Sequence, residues 1–267
     1  MRAVVCAKEV LDPDAVNNYA LEGKLVIGDD GKTLTQTTIP RLMNAYDEQA
    51  IEAVLRLRDA GIDCQLAVVS VGPKAGDLLK HALSLGAEEV VNITVPEGAA
   101  PDYHVVARVL AAYIDKSGGA DLVLCGRQAS DDDQGVVPAL VAERLGMPLV
   151  TVAREVAVSG SAVRVTRVTP EGDEIVEAEF PVVVTISNEL GTPRYPTMQA
   201  KLRARKAQPT VMSCDELGLS ADDLAPRVEM TKQFVPIVRG ACEMIEGASA
   251  AEIADRLVAR LAGDKVL

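Results

Sequence analysis

The residues best suited to chemistry stand in one short run, Gly126-Arg127-Gln128-Ala129-Ser130-Asp131-Asp132-Asp133-Gln134-Gly135, directly after the apolar segment Leu122-Val123-Leu124-Cys125. A glycine closes a strand-like run, polar residues follow, and a helix is expected to begin near Val136 with Pro138 in its first turn. In a parallel α/β sheet, ligands bind outside the carboxyl ends of strands, where unpaired helix amides attract anions such as phosphate. A second reading is open at this point: the three aspartates simply cap the helix. A divalent cation fits less well, because consecutive carboxylates rarely converge on one point. Another apolar run, Leu66 to Val71, also ends in glycine, at Gly72-Pro73. Arg127 is the cation nearest the loop, placed either for the ligand or for a salt bridge to Asp131 or Asp132.

Other chemistries lack their residues. The two histidines, His81 and His104, both fall in expected helices, and no His-Glu-x-x-His or Gly-x-Ser-x-Gly motif accompanies them. Gly31-Lys32-Thr33 resembles the end of a phosphate-binding Walker loop, but Val26 stands where its first glycine is needed, so a hairpin turn is expected there. The five cysteines (Cys6, Cys64, Cys125, Cys214 and Cys242) form an odd set with no Cys-x-x-Cys pair, which reads as reduced, structural thiols.

The loop must be positioned by repeating elements. Val-rich runs recur at 3–6, 66–71, 90–93, 121–125 and 149–152, alternating with helical spacing at 74–85, 103–116 and 136–145. The clearest helix opens near Asp47 and ends at Gly61. It turns Ala50, Ile51, Val54 and Leu55 or Leu57 inward and Glu48, Glu52, Arg56 and Arg58 outward. From Thr151 the rhythm changes. Runs at 155–158, 162–168 and 174–186, separated by Ser159-Gly160-Ser161 and Pro170-Glu171-Gly172-Asp173, predict an antiparallel appendage on the parallel sheet. After Leu219 come Pro226 and Pro236. Helical spacing then resumes over 249–261 behind the capping-box sequence Ser249-Ala250-Ala251-Glu252. Residues 1–225 are thus expected to form the α/β domain, and 226–267 an arm that packs on the core or on a partner.

The net charge of −12 excludes a general affinity for nucleic acid or anionic membrane, and two Phe, five Tyr and no Trp leave few rings for stacking on bases. No apolar stretch approaches the ~18 to 20 residues of a membrane span. The run Ala3 to Ala7 is too short for a signal-peptide core, so a cytoplasmic protein is expected. Residues 190–214 stand apart: they hold five cations and no acid, so the remainder of the chain carries −17.

The sequence Gly126 to Asp133, with Leu140-Val141-Ala142-Glu143-Arg144-Leu145-Gly146-Met147-Pro148-Leu149-Val150-Thr151 after it, resembles the signature of the β subunits of electron transfer flavoproteins. Val5-Cys6-Ala7-Lys8-Glu9-Val10, Met43-Asn44-Ala45-Tyr46-Asp47-Glu48-Gln49-Ala50-Ile51-Glu52-Ala53 and Pro193-Arg194-Tyr195-Pro196-Thr197-Met198 agree with it, in order, over about residues 3–220. The resemblance implies a Rossmann-like α/β core, related to the adenine nucleotide α-hydrolases. It also implies pairing with an α subunit that holds most of a redox-active FAD. The chain would then be an electron carrier between flavoprotein dehydrogenases, such as an acyl-CoA dehydrogenase, and a downstream quinone oxidoreductase. It would have an adenine nucleotide of its own, AMP or, in members that bifurcate electrons, a second FAD. Positions matching the family's pocket are Cys6, Asn44, Ala45, Tyr46, Asp47, Val71, Gly126, Arg127, Gln128, Ala129, Ser130, Asp131, Asp132, Asp133, Gln134, Gly135, Val136 and Val137. The stretch after Tyr195 resembles the family's recognition loop, with Met198 at the anchor and Lys201, Arg203 and Arg205 beside it. The rival expectation is a free-standing adenine-nucleotide sensor or stress-type protein with the same core.

Overall fold

A computed structural model describes residues 1–35, 38–73, 75–96, 100–235 and 242–266. These divide into two compact units, Met1–Gln233 and Phe234–Leu267. The first begins with β1 (Arg2–Cys6), β2 (Glu9–Leu11), α1 (Pro13–Leu21) and β3 (Arg41–Met43), and continues through α2 (Ala45–Asp59), β4 (Gln65–Val71), α3 (Gly76–Leu85) and β5 (Glu89–Thr94). Next come α4 (Tyr103–Lys116), β6 (Leu122–Gly126), α5 (Val137–Leu145), β7 (Leu149–Ser159), β8 (Ala162–Thr169), β9 (Gly172–Glu179), β10 (Val182–Ile186), α6 (Met198–Lys206) and β11 (Thr210–Ser213).

Nine of the described strands form one sheet in the order β11-β5-β4-β1-β6-β10-β7-β8-β9. From β11 to β7 neighbours run parallel, and β7, β8 and β9 continue it antiparallel. The parallel strands read as continuous apolar runs because both of their faces are covered. On β1, Ala3 and Val5 meet Ile51, Val54 and Leu79 from α2 and α3, while Val4 and Cys6 meet Val105, Val109 and Val141 from α4 and α5. The expected helices are all present, α4 with the expected limits; residue 74 lies outside the described residues. The Gly31 turn is a hairpin, closed by the Ile27–Leu34 bridge and by Gly28 N donating to Thr33 O at 2.7 Å.

Three expectations are corrected. The runs at 149–152 and 155–158 are one strand, β7, whose register shifts between Ala153 and Glu155 as it passes from parallel pairing with β10 to antiparallel pairing with β8. The run at 174–186 is two strands. Phe180-Pro181 interrupts it, since proline has no N–H for the ladder. The half that follows, fully apolar and buried, becomes β10 between β6 and β7, whereas the charged first half is the outer strand β9. Glu52, expected outward, is 5% exposed, and two arginines described below make that burial tolerable.

Residues 226–233, assigned by sequence to the arm, belong to the first unit. The second unit contains α7 (Ala250–Gly263), whose capping box forms in relayed fashion: Glu252 N donates to Ser249 Oγ at 3.3 Å, and Ala248 N donates to Glu252 Oε2 at 2.9 Å. None of its residues is buried, and Ile253, Leu257 and Val258 remain exposed. Pro236 lies outside the described residues. No helix among them is long and apolar enough to cross a membrane.

Candidate nucleotide site and docking segment

The sheet reverses its winding at β1: the chain proceeds to β4 and β5 on one side and then returns to β6 on the other. Crevices at such switch points are where open α/β sheets bind ligands. A cavity of about 370 Å³ opens at the carboxyl ends of β1, β4 and β6. Of the residues matched by sequence, Cys6, Asn44, Asp47, Val71, Gly126, Gln128, Ala129, Asp132, Gln134, Gly135, Val136 and Val137 line it.

Asp47 organises the floor. Its Oδ1 accepts from Gly126 N and its Oδ2 from Lys8 N, both at 2.8 Å, so one carboxylate ties α2 to the ends of β1 and β6. Burial pushes its pKa up to about 6 against the pull of these amides. Gly126 is obligatory here, because a Cβ would stand 2.5 Å from both Asp47 Oδ1 and Tyr46 Cβ. Asn44, 1% exposed, fixes the next turn: its Nδ2 donates to Gln128 O at 2.9 Å and its Oδ1 accepts from Ser130 N at 3.2 Å. Gly135 closes the loop at φ 61°, with Arg127 O where a Cβ would otherwise be. At the apolar back of the cavity Cys6 and Cys125 lie side by side in register. The neighbouring Cys6 thiol and full burial hold Cys125 protonated, well above the usual thiol range.

The three aspartates do not cap the helix. α5 starts at Val137 with no side-chain bond to its first amides. Instead Lys8 Nζ reaches Asp131 Oδ1 at 2.6 Å and Asp132 Oδ2 at 3.2 Å, and Asp133 Oδ1 accepts from Gln128 Nε2 at 2.7 Å. Burial opposes the charge on Lys8, but Asp131 and Asp132 outweigh it and hold its pKa above the ordinary lysine value.

Arg127 stands apart from these carboxylates. It pairs with neither aspartate and is absent from the cavity wall; its Nε donates to Gln128 Oε1 at 3.1 Å, its Nη1 to Ser187 Oγ at 3.4 Å, and its guanidinium lies 5.6 Å from the centre of the Tyr46 ring. Lys8, from the N-terminal segment Val5 to Val10, is the cation at the cavity. Ala45, Tyr46, Ser130, Asp131 and Asp133 do not line the cavity either. Sequence reasoning missed Pro101, Asp102, Tyr103, Val106 and Leu110 around α4, together with Val228 and Met230. Val106 and Leu110 are spaced i, i+4 and read as ordinary helix core.

The basic window is held to α2 by ion pairs at its start, and its helix α6 packs on α3, burying Ala204. Arg194 Nε donates to Glu52 Oε2 at 2.8 Å and its Nη2 to Asp59 Oδ2 at 2.6 Å, and its backbone N also reaches Glu52 Oε2 at 3.1 Å. Arg56 Nε donates to the other oxygen of Glu52 at 3.0 Å. Burial works to raise the Glu52 pKa, but these partners overcome it and leave the carboxyl below its usual range. Thr197 Oγ1 then caps α6 by accepting from Ala200 N at 3.2 Å. Tyr195, Met198 and Leu202 are exposed, with Lys201 Nζ 5.5 Å from the Tyr195 ring centre. Arg203 and Arg205 are exposed without an ion pair among the described residues. Of the five cations, Arg194 is thus already neutralised by two carboxylates.

The family model for the electron transfer flavoprotein domain matches residues 32–217. The chain is 31% identical to the CarD subunit of the caffeyl-CoA reductase–Etf complex of Acetobacterium woodii over 98% of both chains. It is 29% identical to the electron transfer flavoprotein subunit beta of Megasphaera elsdenii over the full length of both. With the corresponding subunit of Thermoanaerobacterium thermosaccharolyticum it shares 34% identity over 75% of this chain and 77% of that one. A mostly parallel sheet with its crevice at the winding reversal, a motif-bearing loop on that crevice, and full-length similarity to such subunits agree with one another: this chain belongs to the electron transfer flavoprotein family, on the β-subunit side.

Proposed function

We propose that the chain is the β-type half of an electron-carrying heterodimer and binds an adenine nucleotide in the β1/β6 cavity by its AMP moiety. The observation that carries this reading is the uncapped start of α5 on the cavity wall. The helix amides there have no side-chain acceptor although three aspartates stand immediately upstream. Val71, Val106 and Leu110 offer an apolar end for the base, and a cavity of about 370 Å³ suits a mononucleotide. A second FAD would seat its AMP half in the same place and leave its flavin outside.

The electron chemistry is that of FAD held mainly by the α subunit. This chain's own residues make and break no substrate bonds: α2 braces the nucleotide loop through Asn44 and Asp47, and braces the docking segment through Glu52 and Asp59. The segment 194–206 docks flavoprotein dehydrogenases or the downstream quinone oxidoreductase. Two relatives are named as electron-transfer subunits for caffeyl-CoA and acryloyl-CoA reductases, which supports partners that act on CoA thioesters. Mass spectrometry of the denatured, freshly purified heterodimer should release AMP, or FAD beyond one equivalent. Absence of any adenine nucleotide beyond one FAD would overturn the reading.

A further inference from the structure

Building on that nucleotide reading, we propose that residues 227–230 are a wall of the site, and that Asp102 is the positioning residue that latches Val228 and Met230 against the base. Asp102 splits its two oxygens between tasks. Oδ1 caps α4 by accepting from Val105 N at 2.9 Å, and Oδ2 accepts from Arg227 N at 2.7 Å and Val228 N at 2.8 Å. Two further anchors hold the segment: Glu229 Oε1 meets Lys32 Nζ at 2.6 Å, and Gln233 N donates to Gly31 O at 2.7 Å. The hairpin around Gly31 therefore fastens this strap.

Glu229 reaches out to Lys32, while its neighbours Val228 and Met230 both line the cavity. They are nevertheless 45% and 52% exposed. Two apolar side chains left half in solvent on a cavity wall are the surface that a flat apolar ring would cover. The anion-binding loop after β6 is a separate part of the wall, so the strap recognises the base rather than the phosphate. A ligand with ribose and phosphate but no base gains nothing from it.

The test uses the full-length heterodimer stripped of nucleotide, titrated calorimetrically with AMP and with ribose 5-phosphate. Met230→Ala removes apolar contact at an exposed position. Asp102→Ser keeps a capping hydroxyl for α4 but lacks the second oxygen for the strap. Each variant should bind AMP about tenfold more weakly and ribose 5-phosphate as the parent does. In hydrogen exchange, AMP should protect the amides of Arg227 and Val228 in the parent and fail to do so in Asp102→Ser. Parent-like AMP affinity in both variants, or equal losses for AMP and ribose 5-phosphate, overturns the strap and leaves the nucleotide reading standing. A parent that binds no AMP removes both.

Discussion

Asp47 shows how one side chain can be structural and poised at once. It satisfies two backbone donors, Lys8 N just past β1 and Gly126 N at the end of β6, and asparagine has only one oxygen to offer them. Asp47→Asn should therefore cost about 1–3 kcal/mol, read from urea unfolding. The pH dependence has a definite sign. A carboxyl whose folded pKa is raised from 3.8 to about 6 contributes stability that is full below the unfolded value and is lost as pH rises through the folded one. The stability gap between parent and Asp47→Asn should therefore shrink between pH 4 and 6, by on the order of 1 kcal/mol per pH unit, and stay level above. Parallel curves would contradict the assignment. Cys6 and Cys125, side by side in register, line the back of the cavity, with Cys125 held protonated by burial and by its neighbouring thiol.

Among the elements, α2 is the brace of both proposed sites, holding the proposed nucleotide loop through Asn44 and Asp47 and the proposed docking segment through Glu52 and Asp59. Arg194→Ala would leave Glu52 buried with only Arg56, at a cost of about 1–3 kcal/mol and with faster amide exchange over 191–197. The Glu52 carboxyl is lowered, so its contribution is present above the unfolded carboxylate pKa and lost as pH falls through the folded one. Acid should thus erase the difference between Arg194→Ala and the parent. Docking separates into two terms. Met198→Ala should raise the dissociation rate of a dehydrogenase partner by the equivalent of about 1–2 kcal/mol, whereas neutralising Arg203 and Arg205 should lower the association rate and flatten its salt dependence. Unchanged binding kinetics with loss of flavin in Met198→Ala would assign the segment to the cofactor instead. Much of the fold was readable beforehand, because doubly covered strands and 3.6-residue periods dominate residues 1–150. What escaped was set by contacts distant in sequence. Glu52 looks solvent-facing until Arg194 arrives, β10 looks like a continuation of β9 until it is inserted between β6 and β7, and the role of Lys8 depends on aspartates more than 120 residues away.

For the molecule as a whole, the division after Gln233 places the cavity, its strap and the docking segment in one unit. A chain truncated after Gln233 should keep the unfolding midpoint and the bound nucleotide of the parent, and should lose yield of the heterodimer, measured by size exclusion. Dissolution of the nucleotide site on truncation would show that the two units fold as one. The proposed reason for the lost yield is the apolar face of α7, where Ile253, Leu257 and Val258 stand exposed and supply what a partner subunit would bury.

The outer strand β9 has a consequence for how the isolated chain behaves. Its free backbone edge is a template for strand addition, yet it carries Asp173, Glu174, Glu177 and Glu179 within eight residues. Asp173 and Glu174 are paired with Arg154 and Arg167, but a second copy presented to that edge would still bring Glu177 and Glu179 against like charge, which disfavours fibrillar growth through the sheet. When the chain is produced without its partner, losses should therefore come from reversible, salt-promoted clustering of apolar surfaces and not from amyloid-like assembly.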